Sequence, residues 1–129
     1  MPQSLFAVTL MVPDYDHAIA FYTQTLSFTL LQDVDLGGGK RWVRVAPPGS
    51  GDASLLLAKA DGPSQTAAVG NQTGGRVGFF LQTDNFQRDH KAMVTAGVHF
   101  EEDPRNEPYG TVAVWRDPFG NRWDLIQFK

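Results

Sequence analysis

Asp124 is the residue of this chain whose type and setting most clearly permit chemistry. It lies in a mostly apolar stretch, residues 123–128, near the end of the sequence. A carboxylate in apolar surroundings can hold the amine of a ligand, or act as a catalytic general base whose pKa is raised by desolvation. The alternative is an ion pair with a basic side chain such as Arg122, Arg44 or Arg76. The sequence leaves both interpretations open.

Aromatic and arginine side chains elsewhere could complete a ligand-binding site around this carboxylate. Aromatic rings supply a large contact area with few rotatable bonds. An arginine can clamp an anionic group through two parallel hydrogen bonds. Each of these side chains could instead belong to the core or to the solvated surface. The candidate ligand-binding residues are Trp42, Arg44, Phe80, Tyr109, Trp115 and Asp124.

The register of the last two predicted strands decides which of these residues meet. Residues 118–121, Pro-Phe-Gly-Asn, predict a tight turn. If the hairpin pairs Asp117 with Arg122, then Trp115 lies opposite Asp124, and opposed residues share one face of a sheet. The indole ring of Trp115 would then lie beside the carboxylate of Asp124.

Several familiar catalytic motifs are absent from the sequence. It has no cysteine, no Gly-x-Ser-x-Gly, no His-Glu-x-x-His, and no glycine-rich loop ending in Lys-Ser or Lys-Thr. The glycines at 37–39 precede Lys40-Arg41, but in a predicted hairpin rather than before a helix, which supports phosphate binding only weakly. His17 and His90 fall on predicted helices and His99 on a predicted strand, so no histidine cluster is expected.

Length and charge narrow the classes of protein further. The chain of 129 residues suits one domain, and its net charge of −3 gives no basic footprint for nucleic acid. It has no run of 18 apolar residues and no signal-peptide pattern at its start. We therefore expect a cytoplasmic protein that binds neither nucleic acid nor membrane.

The elements that must position these residues repeat at an offset of 70. In the first half an apolar strand stops at Pro13, Asp14 caps a helix with an amphipathic pattern, and a hairpin turns at the glycines 37–39. The predicted strands are 5–12, 28–36, 42–45 and 53–59, and the predicted helix is 15–26.

The second half repeats this order after a polar stretch, residues 60–75, that reads as a surface connection. Asp84 is the expected cap of the second helix, which should run through Ala96 and stop at Gly97. Strands are predicted at 76–83, 98–102, 111–116 and 122–128. Two βαβββ units follow, and such repeats bury their apolar faces against each other or a partner chain. The functional site is therefore expected between units.

Two motifs in these elements resemble a known family. The first is Val12-Pro13-Asp14, followed by Ala18, Phe21-Tyr22 and Leu26 at the helix. The second, more specific motif is Pro108-Tyr109-Gly110 followed by residues 117–125, Asp-Pro-Phe-Gly-Asn-Arg-Trp-Asp-Leu. Over essentially its whole length the chain resembles the vicinal oxygen chelate superfamily, which includes glyoxalase I, bleomycin-resistance proteins, fosfomycin-modifying enzymes and extradiol dioxygenases.

The resemblance implies an α+β fold in which two βαβββ modules form a cupped mixed sheet. The first module would span about 4–60, a linker 61–75, and the second module about 76–129, within a single domain 1–129. Many members are homodimers and hold a ligand or a metal in the concave cavity. One departure is Ser27, where the family usually has glycine, so the end of the first helix is expected to be strained or built differently.

The resemblance also locates the positions of the family's metal ligands. They fall on Ala7, on Leu55 or Leu56, on Gly78 (Val77 if the register slips), and on Asp124. Only the last can offer a side-chain oxygen, whereas zinc, nickel or iron needs three or four ligands. No cofactor is expected, and a divalent metal is the disfavoured alternative.

The leading hypothesis is therefore a metal-independent protein that binds or sequesters a small organic molecule, similar to the drug-binding and resistance members. The alternative is an enzyme of the same superfamily: a glyoxalase I-like lyase, an isomerase, or a dioxygenase-type metalloenzyme. A third hypothesis is a structural or regulatory dimer whose cavity has no ligand. Fold alone does not choose among them, because function depends on the site.

Overall fold

The computed structural model describes residues 2–49 and 53–129. The expected first module contains residues 50–52, which lie outside the described residues. Contacts divide the chain into two compact units, Met1–Val69 and Gly70–Lys129. Within the described chain, no helix is long and apolar enough to cross a membrane.

The first unit is a four-stranded sheet with helices. Its sheet order is β1-β4-β3-β2, where β1 runs parallel to β4 and the other pairs are antiparallel. Its elements in chain order are β1 (Ala7–Val12), α1 (Tyr15–Ala20), a π-helical turn (Phe21–Thr25), β2 (Thr29–Gly37), β3 (Lys40–Ala46), β4 (Ser54–Lys59) and α2 (Gly62–Ala68).

Alternation along the strands separates a buried face from a second face that carries polar residues. Val43, Val45 and Leu57 are buried, and Arg41 on the same face of β3 binds Asp16 of α1. Helix α1 therefore covers this face. The candidate residues Trp42 and Arg44 alternate with the buried valines and lie on the other face.

The start of α1 confirms the predicted cap, and its end differs from the predicted helix. Asp14 caps the helix as expected, since its carboxylate accepts a hydrogen bond from the His17 backbone N–H at 2.8 Å. The predicted helix 15–26 changes to π geometry at Phe21–Thr25. Ser27 follows with φ 62°, a left-handed conformation that side chains rarely adopt. The expected strain at this cap is therefore present.

The stretch predicted as a surface connection contains a helix, so that prediction is wrong in part. Helix α2 begins with Gly62-Pro63, and Gln65 accepts a hydrogen bond from the backbone N–H of Asp61. Proline in the first helical turn costs no hydrogen bond, because that turn has no intrahelical acceptor for its N–H groups. Hydrophobic periodicity did not reveal this helix, because its sequence has few apolar residues and none of its residues is buried.

The second unit holds a five-stranded sheet with one helix beside it. The strands follow the order β5-β9-β8-β6, with β7 paired to β8, and β5 runs parallel to β9. The elements are β5 (Phe79–Gln82), α3 (Phe86–Thr95), β6 (His99–Phe100), β7 (Arg105–Glu107), β8 (Gly110–Arg116) and β9 (Arg122–Phe128). The predicted α+β class is confirmed.

Three details of the second unit differ from the sequence-based expectation. The strand expected over 76–83 is shorter, and the short strand β7 was not predicted. The cap of α3 is Asn85, whose side chain accepts from the Arg88 N–H at 3.1 Å, and not Asp84. Asp84 instead pairs with the Arg88 guanidinium at 2.9 Å. Both residues are good caps, so propensity could not choose between neighbours.

Candidate functional site

Asp124 lies on the face of the second sheet opposite its tryptophans. Trp123 and Leu125 are buried on one side of β9, and Asp124 between them points to the other. Its neighbours across the sheet are Phe80 on β5 and Val114 on β8. We call the surface formed by Phe80, Val114 and Asp124 the Asp124 face.

The carboxylate of Asp124 lacks the partners that its setting demands. Its Oδ1 atom is buried and has no hydrogen-bond partner within the described part of the chain. Burial raises the pKa of Asp124; the charges of Arg105 and Arg122 lower it and that of Glu102 raises it. Arg122 is not its ion-pair partner, because Nε of Arg122 lies 2.9 Å from Oε2 of Glu101. An unsatisfied buried acceptor costs about 1–3 kcal/mol, so a donor supplied by a ligand would relieve it.

Exposed aromatic surface adjoins this carboxylate. Phe80, directly beside Asp124, is 65% exposed. The ring of Tyr109 lies 6.5 Å from that of Phe128, and Phe128 shares the Asp124 side of β9 because it lies four residues further along the strand. Phe128 was missed by the sequence analysis. Its spacing from Asp124 is the signal that could have found it.

Trp115 does not stand beside Asp124, so the predicted register is wrong. In the structure Trp115 pairs with Trp123, and Val114 pairs with Asp124. The two indoles stack with centroids 4.9 Å apart, and Trp115 is fully buried. A shift of one residue moves a side chain to the opposite face of a sheet. Trp115 therefore packs in the core of the second unit.

The hairpin turn explains this shift. The buried carboxylate of Asp117 accepts hydrogen bonds from the backbone N–H groups of Phe119 and Asn121, at 3.0 and 2.8 Å, and from the Asn121 side chain at 2.7 Å. Asp117 thus belongs to the turn, and the paired strands begin at Arg116 and Arg122. The most specific motif of the sequence is structural, because these bonds set the hairpin register.

The first unit carries a second group of candidate residues on one face of its sheet. Oε1 of Gln32 accepts hydrogen bonds from Nε1 of Trp42 at 2.8 Å and from Nε of Arg44 at 2.6 Å. Nη1 of Arg44 also donates to Oγ of Ser54 at 2.9 Å. The guanidinium carbon lies 4.2 Å from the ring centroid of Phe6. We call these five residues the Arg44 face.

Gln32 forms hydrogen bonds with both predicted residues of this face, Trp42 and Arg44, but it was not among the predicted ligand-binding residues. It pairs with Arg44 across the β2–β3 hairpin, after an irregularity between Leu30 and Gln32. A prediction that assumes regular alternation along β2 misses such a bulge, because one extra residue reverses the face on which the following side chains lie. Trp42 and Arg44, in contrast, share a face through their spacing of two.

The metal-ligand positions implied by the resemblance do not fit a metal. Ala7 and Leu56 offer no donor, and Leu56 rather than Leu55 pairs with Arg44. A side chain at Gly78 would overlap the methyl group of Thr73. Among the described residues no three His, Cys, Asp or Glu side chains converge. The ring of His90, for example, stacks on Phe86 and lies tilted against Phe100.

Comparison with protein families agrees with this architecture. Residues 4–125 match the model of the Glyoxalase/Bleomycin resistance protein/Dioxygenase superfamily. An uncharacterized protein from Shewanella frigidimarina is 50% identical over 130 aligned positions, which cover 100% of this chain and 96% of that protein.

Solved structures extend the similarity to the backbone. UcmS2 has a TM-score of 0.84 at 30% sequence identity, over 98% of each chain. TnmS3, described as an antibiotic binding protein from Streptomyces sp. CB03234, has a TM-score of 0.79 at 32% identity, over 99% of this chain and 98% of its own. The resemblance found in the sequence is thereby confirmed.

Proposed function

Because the chain belongs to the glyoxalase/bleomycin resistance protein/dioxygenase superfamily, we propose that it binds a small organic molecule on the Asp124 face without a metal cofactor. The observation that carries this proposal is the buried Oδ1 of Asp124, which has no hydrogen-bond partner in the described chain. A buried acceptor left unpaired in a folded protein calls for an explanation, and a ligand-binding site supplies one. Sequestration needs no catalytic residue, so this surface would suffice.

The chemistry of the Asp124 face selects the type of ligand. A carboxylate accepts hydrogen bonds and attracts positive charge, and the exposed ring of Phe80 beside it favours aromatic groups and cations. Val114 and Phe80 on either side of Asp124 limit its contact with water. We therefore expect an aromatic ligand with an ammonium or a strong N–H donor. The similarity to TnmS3, described as antibiotic binding, supports the general class of ligand.

A pair of probe molecules tests the proposal. Tryptamine carries an aromatic ring and an ammonium, and N-acetyltryptamine has the same ring without the charge. The protein should bind tryptamine more tightly, measured by titration calorimetry. Asp124→Asn should weaken tryptamine binding by about tenfold or more, the value of one charged hydrogen bond. Asp103→Asn, which removes an exposed carboxylate of the same unit, serves as the matched control. Equal binding of both probes, or full tryptamine affinity in Asp124→Asn, would refute the assignment.

We propose further that the protein is a homodimer. Edge strand β2 exposes Leu30, Leu31 and Leu36 by 41%, 44% and 60%. An uncovered apolar edge strand invites pairing with another chain. Sedimentation equilibrium should give twice the chain mass. Leu31→Lys should lower this mass, whereas Val94→Lys, at an exposed position of α3, should not. A single-chain mass for the unmodified protein at micromolar concentration would contradict the dimer.

A further inference from the structure

Arg44 differs from most arginines because no described carboxylate forms an ion pair with it. Most arginines in the described segments form ion pairs with carboxylates: Arg41, Arg88, Arg105, Arg116 and Arg122. Arg44 forms none with any residue that the structure describes. Its hydrogen-bond partners, Gln32 and Ser54, are both neutral. No described carboxylate therefore competes with a ligand for this guanidinium.

The guanidinium is also held in one orientation. Gln32 fixes its Nε and Ser54 its Nη1, while the ring of Phe6 lies against its flat surface at 4.2 Å. An arginine has five N–H donors, and these two bonds leave both donors of Nη2 and one of Nη1. A pre-oriented donor fork binds an anion without first losing side-chain freedom.

The surroundings of Arg44 suit a flat ring attached to that anion. The Trp42 indole is tied to the same Gln32 oxygen as Arg44, so it is held beside the guanidinium. Phe6 is 53% exposed, and Leu56 lies across from Arg44 on β4. Aromatic and aliphatic surface therefore surrounds a single fixed positive charge.

From these contacts we propose that the Arg44 face is a binding site for a planar organic anion, such as an aromatic carboxylate. The carboxylate would accept hydrogen bonds from Nη2 of Arg44, and the ring would rest against Trp42 and Phe6. The proposal stands on residues of the first unit alone. Its evidence is therefore separate from the evidence for the ligand proposed for the Asp124 face.

The test compares 1-naphthoate with its neutral analogue 1-naphthamide. Binding is followed by the indole N–H resonance of Trp42 in heteronuclear NMR spectra, assigned through Trp42→Phe. We expect naphthoate to shift this resonance saturably and to bind about tenfold or more tightly than naphthamide, as for a charged hydrogen bond. The preference should decline as salt is added, because salt screens exposed charges.

Two variants of Arg44 decide whether the guanidinium is responsible. Arg44→Gln should abolish the preference for naphthoate, and Arg44→Lys should retain part of it, because lysine keeps the charge but loses the planar fork. Lys91→Gln on α3 makes the same change in net charge at an exposed position and should have no effect. Thermal unfolding of each variant checks that it is folded, and if Arg44→Gln is not, Arg44→Lys and the salt titration decide.

Three results would overturn the proposal: no shift of the Trp42 resonance at millimolar naphthoate, equal affinity for the two probes, or an undiminished preference in the folded Arg44 variants. Asp124→Asn separates this site from the other one. Naphthoate binding should be unchanged in that variant even if tryptamine binding fails in every protein tested.

Discussion

Replacing Asp124 by asparagine should stabilise the protein at neutral pH while it weakens binding. The change keeps the shape of the side chain but removes a charge whose Oδ1 is buried without a partner in the described chain. A binding residue held in unfavourable surroundings typically shows this trade-off between stability and function. A structural ion-pair residue would show the opposite, because its removal would leave a partner unpaired.

The size of the effect follows from the cost of the unpaired acceptor. That cost is about 1–3 kcal/mol, and asparagine would still place a carbonyl oxygen there, so only the part due to charge is recovered. Asp124 is also partly exposed, which lets water screen its charge. We therefore expect a gain of about 1 kcal/mol in the free energy of unfolding at pH 7, which corresponds to roughly 3–5 °C in Tm for a chain of this length.

The pH dependence gives the prediction its sign. Burial raises the pKa of Asp124 above its ordinary value of 3.8, so the folded protein binds the carboxyl proton more tightly than the unfolded chain does. The stabilisation that comes from the proton on Asp124 is then complete below pH 3.8. It is lost as the pH rises through the raised pKa that Asp124 has in the folded state. The advantage of Asp124→Asn should accordingly be present at pH 7 and shrink toward zero as pH falls to 3.8.

Urea unfolding of the two proteins between pH 3 and 8, followed by circular dichroism, measures this difference. Asp103→Asn should stay within about 0.5 kcal/mol of the parent at every pH, as exposed substitutions usually do. If Asp124→Asn lowers the free energy of unfolding by 1 kcal/mol or more at pH 7, Asp124 is a structural residue and the site is wrongly assigned. A gain that persists unchanged at low pH would also refute the reasoning, because the charge would not be its cause.

Three further predictions concern the hairpin, the helix cap and the metal. Asp117→Ala should destabilise the protein by about 3 kcal/mol in urea unfolding, because buried donors of the turn lose their acceptor. Asp117→Asn keeps one oxygen and should cost less, so equal losses in the two variants would contradict this explanation. Ser27→Gly should raise the free energy of unfolding by about 0.5 kcal/mol. Glycine removes the strain of the left-handed conformation, and its greater freedom in the unfolded chain offsets only part of that gain. A lower Tm would show that the Ser27 side chain has another role. Elemental analysis after purification without chelators should find no stoichiometric divalent metal, because three of the four matched positions lack donors. One zinc, nickel, iron or manganese per chain would favour the enzyme alternative.

The amino-acid sequence alone determined the features that depend on neighbours along the chain. The cap at Asp14 and the shared face of Trp42 and Arg44 follow from local geometry and from the two-residue period of a strand. The strained position of Ser27 was expected from the resemblance, because the family usually has glycine there. The repeat of the strand and helix pattern predicted two βαβββ units, and the resemblance implied the α+β class. Asp124 was identified because the resemblance matches it to the one metal-ligand position that keeps a polar side chain.

Only the tertiary structure decided features that depend on one residue of register. Asp117 closes the turn with its own side chain, which moved Trp115 to the face opposite Asp124. The irregularity in β2 brought Gln32 across from Arg44. Strand alternation has a period of two, so one extra residue in a turn or a bulge reverses every assignment of a face. Hydrogen bonds between residues distant in sequence make that choice, and local patterns do not record them.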